Sequence, residues 1–355
     1  MFIFALLVVF YTDFRGIWIP RWSINDQDKI FSVLDGKFNH IFLQVFALGE
    51  SYYPSQYAPS RMRSDRWLRE FLAEAHRRNI KVSAWVNTLY SWGYAPQTLN
   101  QNHPINRNRN WYVEDQYERS ILDYTVNELR QIGVEGYFLA PAVPDVRQYI
   151  ITIAEEIVNN YDFDGVHFDY IRYPSRRFIY DASLRSKFLR KYYVDPTAID
   201  ESTVLKERVS TWGYQDLLQT WHEFINNDLD DFVQEVAEHL KIMKPGLLIS
   251  VAVKPNYRAA RHQFHQDWLQ WLNSGSVDFV CLMAYSRRIE EDLHDLLEVV
   301  KEPHRVTVGL GIYLLRPWEI SDQVRFIHTL PYAGVVFFSY DQLKRNREYL
   351  KSLTP

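Results

Sequence analysis

Asp169 closes the strand-like part of the segment Asp164-Gly165-Val166-His167-Phe168-Asp169-Tyr170-Ile171-Arg172-Tyr173-Pro174. In an extended chain Val166, Phe168 and Tyr170 share one face, and His167, Asp169 and Ile171 the other. A carboxylate delivered by an apolar strand is costly unless it has chemistry to perform or a partner. The chemistry would be glycoside cleavage, in which one carboxyl group protonates the leaving oxygen and a second acts as nucleophile or base. The competing reading is a structural ion pair with Arg172. Candidates for the second carboxylate are Glu50, in Gly49-Glu50-Ser51-Tyr52-Tyr53, and Glu114, Asp115, Glu207 and Glu223. Spacing does not choose among these five, and each could be a solvated surface acid.

Eight apolar stretches could hold such a strand in place: 14–20, 40–48, 81–89, 165–173, 247–254, 278–285, 305–314 and 334–340. Most are continuous runs of Val, Ile, Phe and Leu, as expected where both faces of a strand are covered. Amphipathic stretches alternate with them at 26–34, 65–78, 146–160, 214–243, 266–273, 290–300, 321–330 and 341–350. The alternation predicts an α/β fold, a closed (β/α)8 TIM barrel whose active site lies at the C-terminal ends of the strands. Long inserted loops follow strands 3 and 4, at about 90–144 and 175–212, against the usual two to six residues. Loops of that length on the catalytic face build substrate grooves.

Residues at the strand ends map the expected mouth. Gln44 and Asn87 suit hydrogen bonding to sugar hydroxyls, or else satisfy backbone groups at the barrel rim. His167 shares the inward face of Asp169 and is either a donor to it or a satisfied core histidine. Trp18, Trp85, Arg172, Lys254, Asn256, Tyr285 and Tyr340 complete the substrate-facing set, with Trp92 and Trp111 in the first long loop. The chain has 11 Trp and 24 Tyr, more rings than a core of this size needs, so a surplus is expected to line a sugar-binding groove.

No Gly-rich phosphate loop follows the first strand and no His-x-x-x-His spacing occurs, so neither cofactor nor metal is expected. The lone Cys281 excludes an internal disulfide. With 40 basic against 44 acidic residues and no basic stripe, nucleic acid is not an expected partner. Residues 1–12 resemble the apolar part of a secretory leader without its basic flank or cleavage site, and are too short to span a bilayer. They point to an extracytoplasmic protein, with residues 13–355 as a single domain.

The 164–174 segment resembles the signature of bacterial glycosyl-hydrolase-like proteins related to glycoside hydrolase family 10. Arg15-Gly16-Ile17-Trp18, Gln44-Val45, Gly49-Glu50-Ser51-Tyr52-Tyr53, Ala84-Trp85-Val86-Asn87 and Val335-Val336-Phe337-Phe338-Ser339-Tyr340 follow in the family's order. The resemblance implies the barrel, action on a cell-surface glycan of the peptidoglycan type, and Asp169 and Glu50 as its carboxylates. Three positions depart from the pattern: Asp169-Tyr170-Ile171 stands for Asp-Asp-Tyr, Ala140-Pro141-Ala142 for Asp-Pro-Gly, and Phe46-Ala47 for Arg-Pro. The segment is also similar to the Asp-Gly-x-Asp-x-Asp-x-Glu strand of chitinase-type barrels, but Ile171 occupies the place of the proton-donating Glu. The expectation is an O-glycosyl hydrolase. The alternatives are a catalytically silent glycan-binding barrel and a phosphosugar barrel enzyme, the latter hinted at only by Gly309 and Gly311.

Overall fold

Continuous burial of both strand faces is what the apolar runs demand, and the chain meets it by closing a sheet on itself. In a computed structural model, residues 13–24, 27–34, 36–200, 211–351 and 353 are described. The hydrophobic opening, Asp26 at the head of the first predicted helix, and Glu207 lie outside these residues. In chain order the strands are β1 (Phe14–Ile19), β2 (His40–Ala47), β3 (Glu50–Ser51), β4 (Lys81–Asn87), β5 (Tyr90–Trp92), β6 (Tyr137–Phe138), β7 (Gly165–Asp169), β8 (Leu248–Val253), β9 (Phe279–Met283), β10 (Val306–Gly311) and β11 (Gly334–Phe338). Eight of them, β1, β2, β4, β7, β8, β9, β10 and β11, run parallel and close into a barrel because β1 pairs with both β2 and β11. The predicted (β/α)8 fold is therefore present.

The first long insertion carries the two-stranded antiparallel sheet β5–β6 and the short helices Pro104–Arg107 and Val126–Gln131. A capping box between Thr125 and Glu128 starts the second of these helices. Pro144 at the first turn starts the barrel helix Pro144–Asn160, two residues ahead of the predicted boundary. The helix Tyr257–Phe264 was not foreseen, and the last predicted helix is broken into Tyr340–Arg345 and Glu348–Lys351.

Two apolar layers result. The outer one lies between strands and helices and includes Val166, Phe168 and Ile171. The inner one fills the barrel with Trp18, Phe42, Trp85, Phe279, Cys281 and Val336. Gly309 makes room for this filling: a Cβ there would lie 2.8 Å from the Trp18 ring and 2.5 Å from the Leu282 carbonyl oxygen. Gly311 likewise faces the Tyr285 and Tyr313 rings, so both glycines serve packing rather than a phosphate. Gly309→Ala is expected to lower the urea midpoint by an equivalent of about 1–3 kcal/mol; an unchanged midpoint would contradict this packing.

Polar groups inside the barrel are paired. His40 contacts Ser83 Oγ at 2.8 Å, and burial pushes its pKa down to about 3. His167 accepts from Trp18 Nε1 at 3.1 Å and so donates from Nδ1 to Ser250 Oγ at 2.9 Å. Burial holds it neutral as well. A depressed histidine gives stability that is present above the unfolded pKa of about 6.5 and is lost as pH falls, because the unfolded chain then binds the extra proton. Wild type measured against His40→Gln should therefore lose about 2 kcal/mol between pH 7 and pH 5 in urea titrations. The pairwise comparison cancels the opposite titration of buried carboxyl groups such as Asp181, which burial raises to about 7. A constant difference across that range would refute the buried neutral imidazole.

Candidate active site at the C-terminal barrel face

Asp169 is the last residue of β7, inward-facing and 8% exposed. Trp85 Nε1 donates to its Oδ2 at 3.1 Å, and the main-chain N–H of Tyr170 donates to its Oδ1 at 2.8 Å. Tyr170 adopts a left-handed conformation with φ 55°, strain that a bulky residue accepts only when its surroundings fix it. Tyr170 is fixed by stacking on Tyr90 at 4.6 Å. Burial is the largest influence on the Asp169 carboxyl and raises its pKa to about 6. The Tyr170 and Trp85 hydrogen bonds and the Arg172 charge oppose the shift, and the Glu135 charge adds to it.

Arg172 does not form the direct ion pair with Asp169 that its spacing suggested. It is 3% exposed, its Nη2 binds Glu135, and its guanidinium packs over the rings of Tyr170, Phe138 and Phe264 at 5.1, 5.5 and 4.9 Å. Asp169 thus feels a cation without being neutralised by it. Lys254 stands nearby with its Nζ 5.2 Å from the Phe264 ring, and burial, followed by the Arg172 charge, lowers its pKa. Among the described residues no carboxylate lies within ion-pair distance of that ammonium group, which remains available to a ligand.

Gln44 accepts from the main-chain N–H and Nη1 of Arg21, at 3.2 and 3.1 Å, and donates to Asn87 Oδ1 at 3.1 Å. Among the described residues that leaves Asn87 Nδ2 as an uncommitted donor on the strand position that pairs in register with Asp169 across β4 and β7. Tyr285 stacks on Phe338 at 5.5 Å, and burial, together with the Asp169 charge, keeps its hydroxyl neutral. Glu50 lies on β3, which turns back antiparallel to β2. Its carboxylate is buried and accepts from Arg61 Nε at 2.6 Å.

Other expected substrate contacts are placed elsewhere. His167 and Trp18 are fully engaged in the barrel interior, so neither is a substrate contact. Trp85 is a buried positioning group for Asp169 rather than an open stacking surface. Asn256 caps the helix Tyr257–Phe264 by accepting from Ala259 N at 2.9 Å. Tyr340 is wholly buried in the outer layer. Trp92 is also buried, with Nε1 donating to the Ala95 carbonyl. Open rings beyond the strand ends include Trp22 and Tyr313, at 59% and 49% exposure. Trp22 is anchored by Nε1 to Asp341 and flanked by the Arg21 guanidinium at 4.9 Å.

Glu135, not singled out in the sequence, is the carboxylate that bears on Asp169. It precedes β6 in the inserted connection, 37 positions from its partner Arg172. The one available signal was the cation itself, since a buried Arg needs an acid from some other segment. Among the described residues no three His, Cys, Asp or Glu side chains form a metal-ligating group, and no helix is long and apolar enough to cross a membrane.

Comparison with known proteins agrees with this architecture. The family described as Glycosyl hydrolase-like 10 matches residues 13–313. Glycosyl hydrolase YngK of Bacillus subtilis is 21% identical, over 94% of this chain and 69% of its own length. Glycosyl hydrolase DigH of Escherichia coli is 24% identical, over 86% of this chain and 74% of its own. Among solved structures, the PgaB (BpsB) glycoside hydrolase domain of Bordetella bronchiseptica superposes with TM-score 0.71 at 16% identity, covering 96% of this chain and 98% of that one. Alpha-L-fucosidase isoenzyme 2 of Paenibacillus thiaminolyticus gives TM-score 0.61 at 14% identity, covering 96% and 48%.

Proposed function

Since the chain belongs to the Glycosyl hydrolase-like 10 family, we propose that this glycan-acting hydrolase cleaves O-glycosyl bonds with Asp169 as the proton donor. One observation carries the reading: a buried carboxyl at a barrel strand's C-terminal end, lifted to about 6, with two N–H groups fixing its orientation. An acid so tuned is partly protonated near neutral pH and gives its proton to the departing oxygen. Glu135, whose charge acts on Asp169, keeps 43% of its side chain exposed despite its bond to Arg172 and is the better candidate for the second role, as base or nucleophile. Glu50, enclosed with Arg61, is more suited to holding β3 in place. Asn87 Nδ2 and Lys254 Nζ would bind sugar oxygens, and Trp22 and Tyr313 would stack on ring faces. The substrate class proposed is a cell-surface glycan of the peptidoglycan type, met outside the cytoplasm.

A silent glycan-binding barrel remains the second reading, favoured by Ile171 where chitinase-type barrels carry their acid and by the Glu50–Arg61 pair. Release of soluble fragments from a panel of purified glycans, peptidoglycan included, separates the two. Fragments from wild type that disappear with Asp169→Asn support hydrolysis. Retained binding without any release would decide for the silent barrel.

A further inference from the structure

Beside the mouth, on the same barrel face, lies a cavity of about 450 Å³ lined by Asp115, Tyr117, Arg176, Arg177, Tyr180 and His222. That size is within the range of small-ligand sites, about 300–1,000 Å³. Its arginines follow β7 by a few residues, and its histidine is on the long helix Thr211–Met243 that follows the same strand.

The charge of this cavity is not cancelled. Among the described residues neither Arg176 nor Arg177 meets a carboxylate, whereas most of the protein's other arginines do. Arg176 is oriented by imidazoles: Nη1 lies 3.3 Å from His262 Nε2, and Nη2 contacts His222 Nε2. Burial, with the Arg176 charge second, holds His222 near 4 and lowers His262, so both rings accept hydrogen bonds as neutral groups. They direct the guanidinium without neutralising it, and among the described residues His222 Nδ1 is left as a buried donor with no partner. Arg177 is braced by Tyr124, with Nε 3.3 Å from the phenol oxygen.

Asp115 is the acid in the lining, and its oxygens are already committed. Oδ1 accepts from the main-chain N–H groups of Tyr117 and Arg119, and Oδ2 from Tyr124 Oη. Two guanidinium groups against one carboxylate, itself held by three neutral donors, leave net positive charge facing the cavity. Arginine forks suit planar oxyanions.

The helix Tyr257–Phe264 joins this cavity to the mouth. His262 touches Arg176 on one side, and Phe264 covers Arg172 and Lys254 on the other. The same short helix thus touches both the cavity and the cations next to Asp169. We propose that Arg176 and Arg177 form an oxyanion subsite for a carboxylate-bearing sugar of the glycan, a proposal that rests on the glycan-hydrolase reading for the identity of its ligand.

Calorimetric titration of the full chain tests it without requiring turnover. The probes are an oligosaccharide of alternating glucuronic acid and N-acetylglucosamine, the same oligosaccharide with its carboxyl groups reduced to alcohols, and inorganic phosphate. The acidic probe is expected to bind at least about ten-fold more tightly than the reduced one, an advantage lost in both Arg176→Gln and Arg177→Gln. Arg177 is exposed, so its variant tests the site even if Arg176→Gln disturbs the fold. Equal binding of the two oligosaccharides, an advantage that survives both substitutions, or phosphate binding as tightly as the acidic probe would each overturn the proposal. Failure of the hydrolase reading would appear separately, as absence of fragment release with the acidic preference intact.

Discussion

Replacing Asp169 by Asn is expected to lower kcat on a released glycan by about 10²–10⁴-fold, the range contributed by a positioned proton donor. The fold should survive. A carboxyl whose folded pKa of about 6 exceeds its unfolded value costs stability once ionised, as pH rises from the unfolded pKa through 6. Asp169→Asn lacks that penalty, so at pH 8 its thermal midpoint should equal or exceed that of wild type. The pH–rate profile gives a sharper check, because a proton donor acts only while protonated. Activity should be retained below about pH 6 and decline as pH rises through it. Trp85→Phe removes an N–H that favours the ionised form, so the alkaline limb should move to higher pH. A limb that stays in place or moves to lower pH in Trp85→Phe would remove Asp169 from the donor role.

The second large effect concerns stability. Asp228, 8% exposed, accepts from Arg147 Nη2 at 2.7 Å and from Lys187 Nζ at 2.6 Å. These contacts tie the helix Pro144–Asn160 and the helix Ala182–Tyr192 to the long helix Thr211–Met243. Asp228→Ala strands the buried Arg147, whose next carboxylate is Glu235 at 3.7 Å. A loss of about 3–5 kcal/mol in urea unfolding is expected, as when one member of a buried pair is removed. Adding Arg147→Met should recover part of it, because the uncompensated charge then goes as well. If the double variant is as unstable as the sum of the single ones, the cost lies in packing and not in the stranded charge.

The barrel was legible because parallel strands buried on both faces read as apolar runs, and because β7 ends on an acid. The inward direction of His167 and Asp169 also followed from simple alternation, with Val166 and Phe168 packed outward. The same double burial hid the depth of each side chain. Trp18 and Trp85 could not be told from open stacking rings, since an inner layer of six large and small residues looks like any other apolar pattern. Tyr340 is hidden for a related reason: it begins a helix whose first turn packs into the core, which its place just after a strand end does not reveal. Asn256 follows the fifth strand as a polar group at its C-terminal end, a position that fits a ligand contact and a helix cap equally well. The Glu135–Arg172 pair was out of reach, because no local rule links an acid in an insertion to a strand end 37 residues later.

Barrel closure has a consequence for biosynthesis. Phe14 stands opposite Gly334, so the contact that seals the ring joins segments 320 residues apart. Until β11 leaves the ribosome, β1 and β10 both present unpaired main-chain edges, which are templates for association with other chains. Contacts of such sequence separation form slowly, since the loop entropy is lost before the pairing rewards it. A nascent chain stalled just short of Gly334 would therefore be far more prone to aggregate than one whose ring has closed.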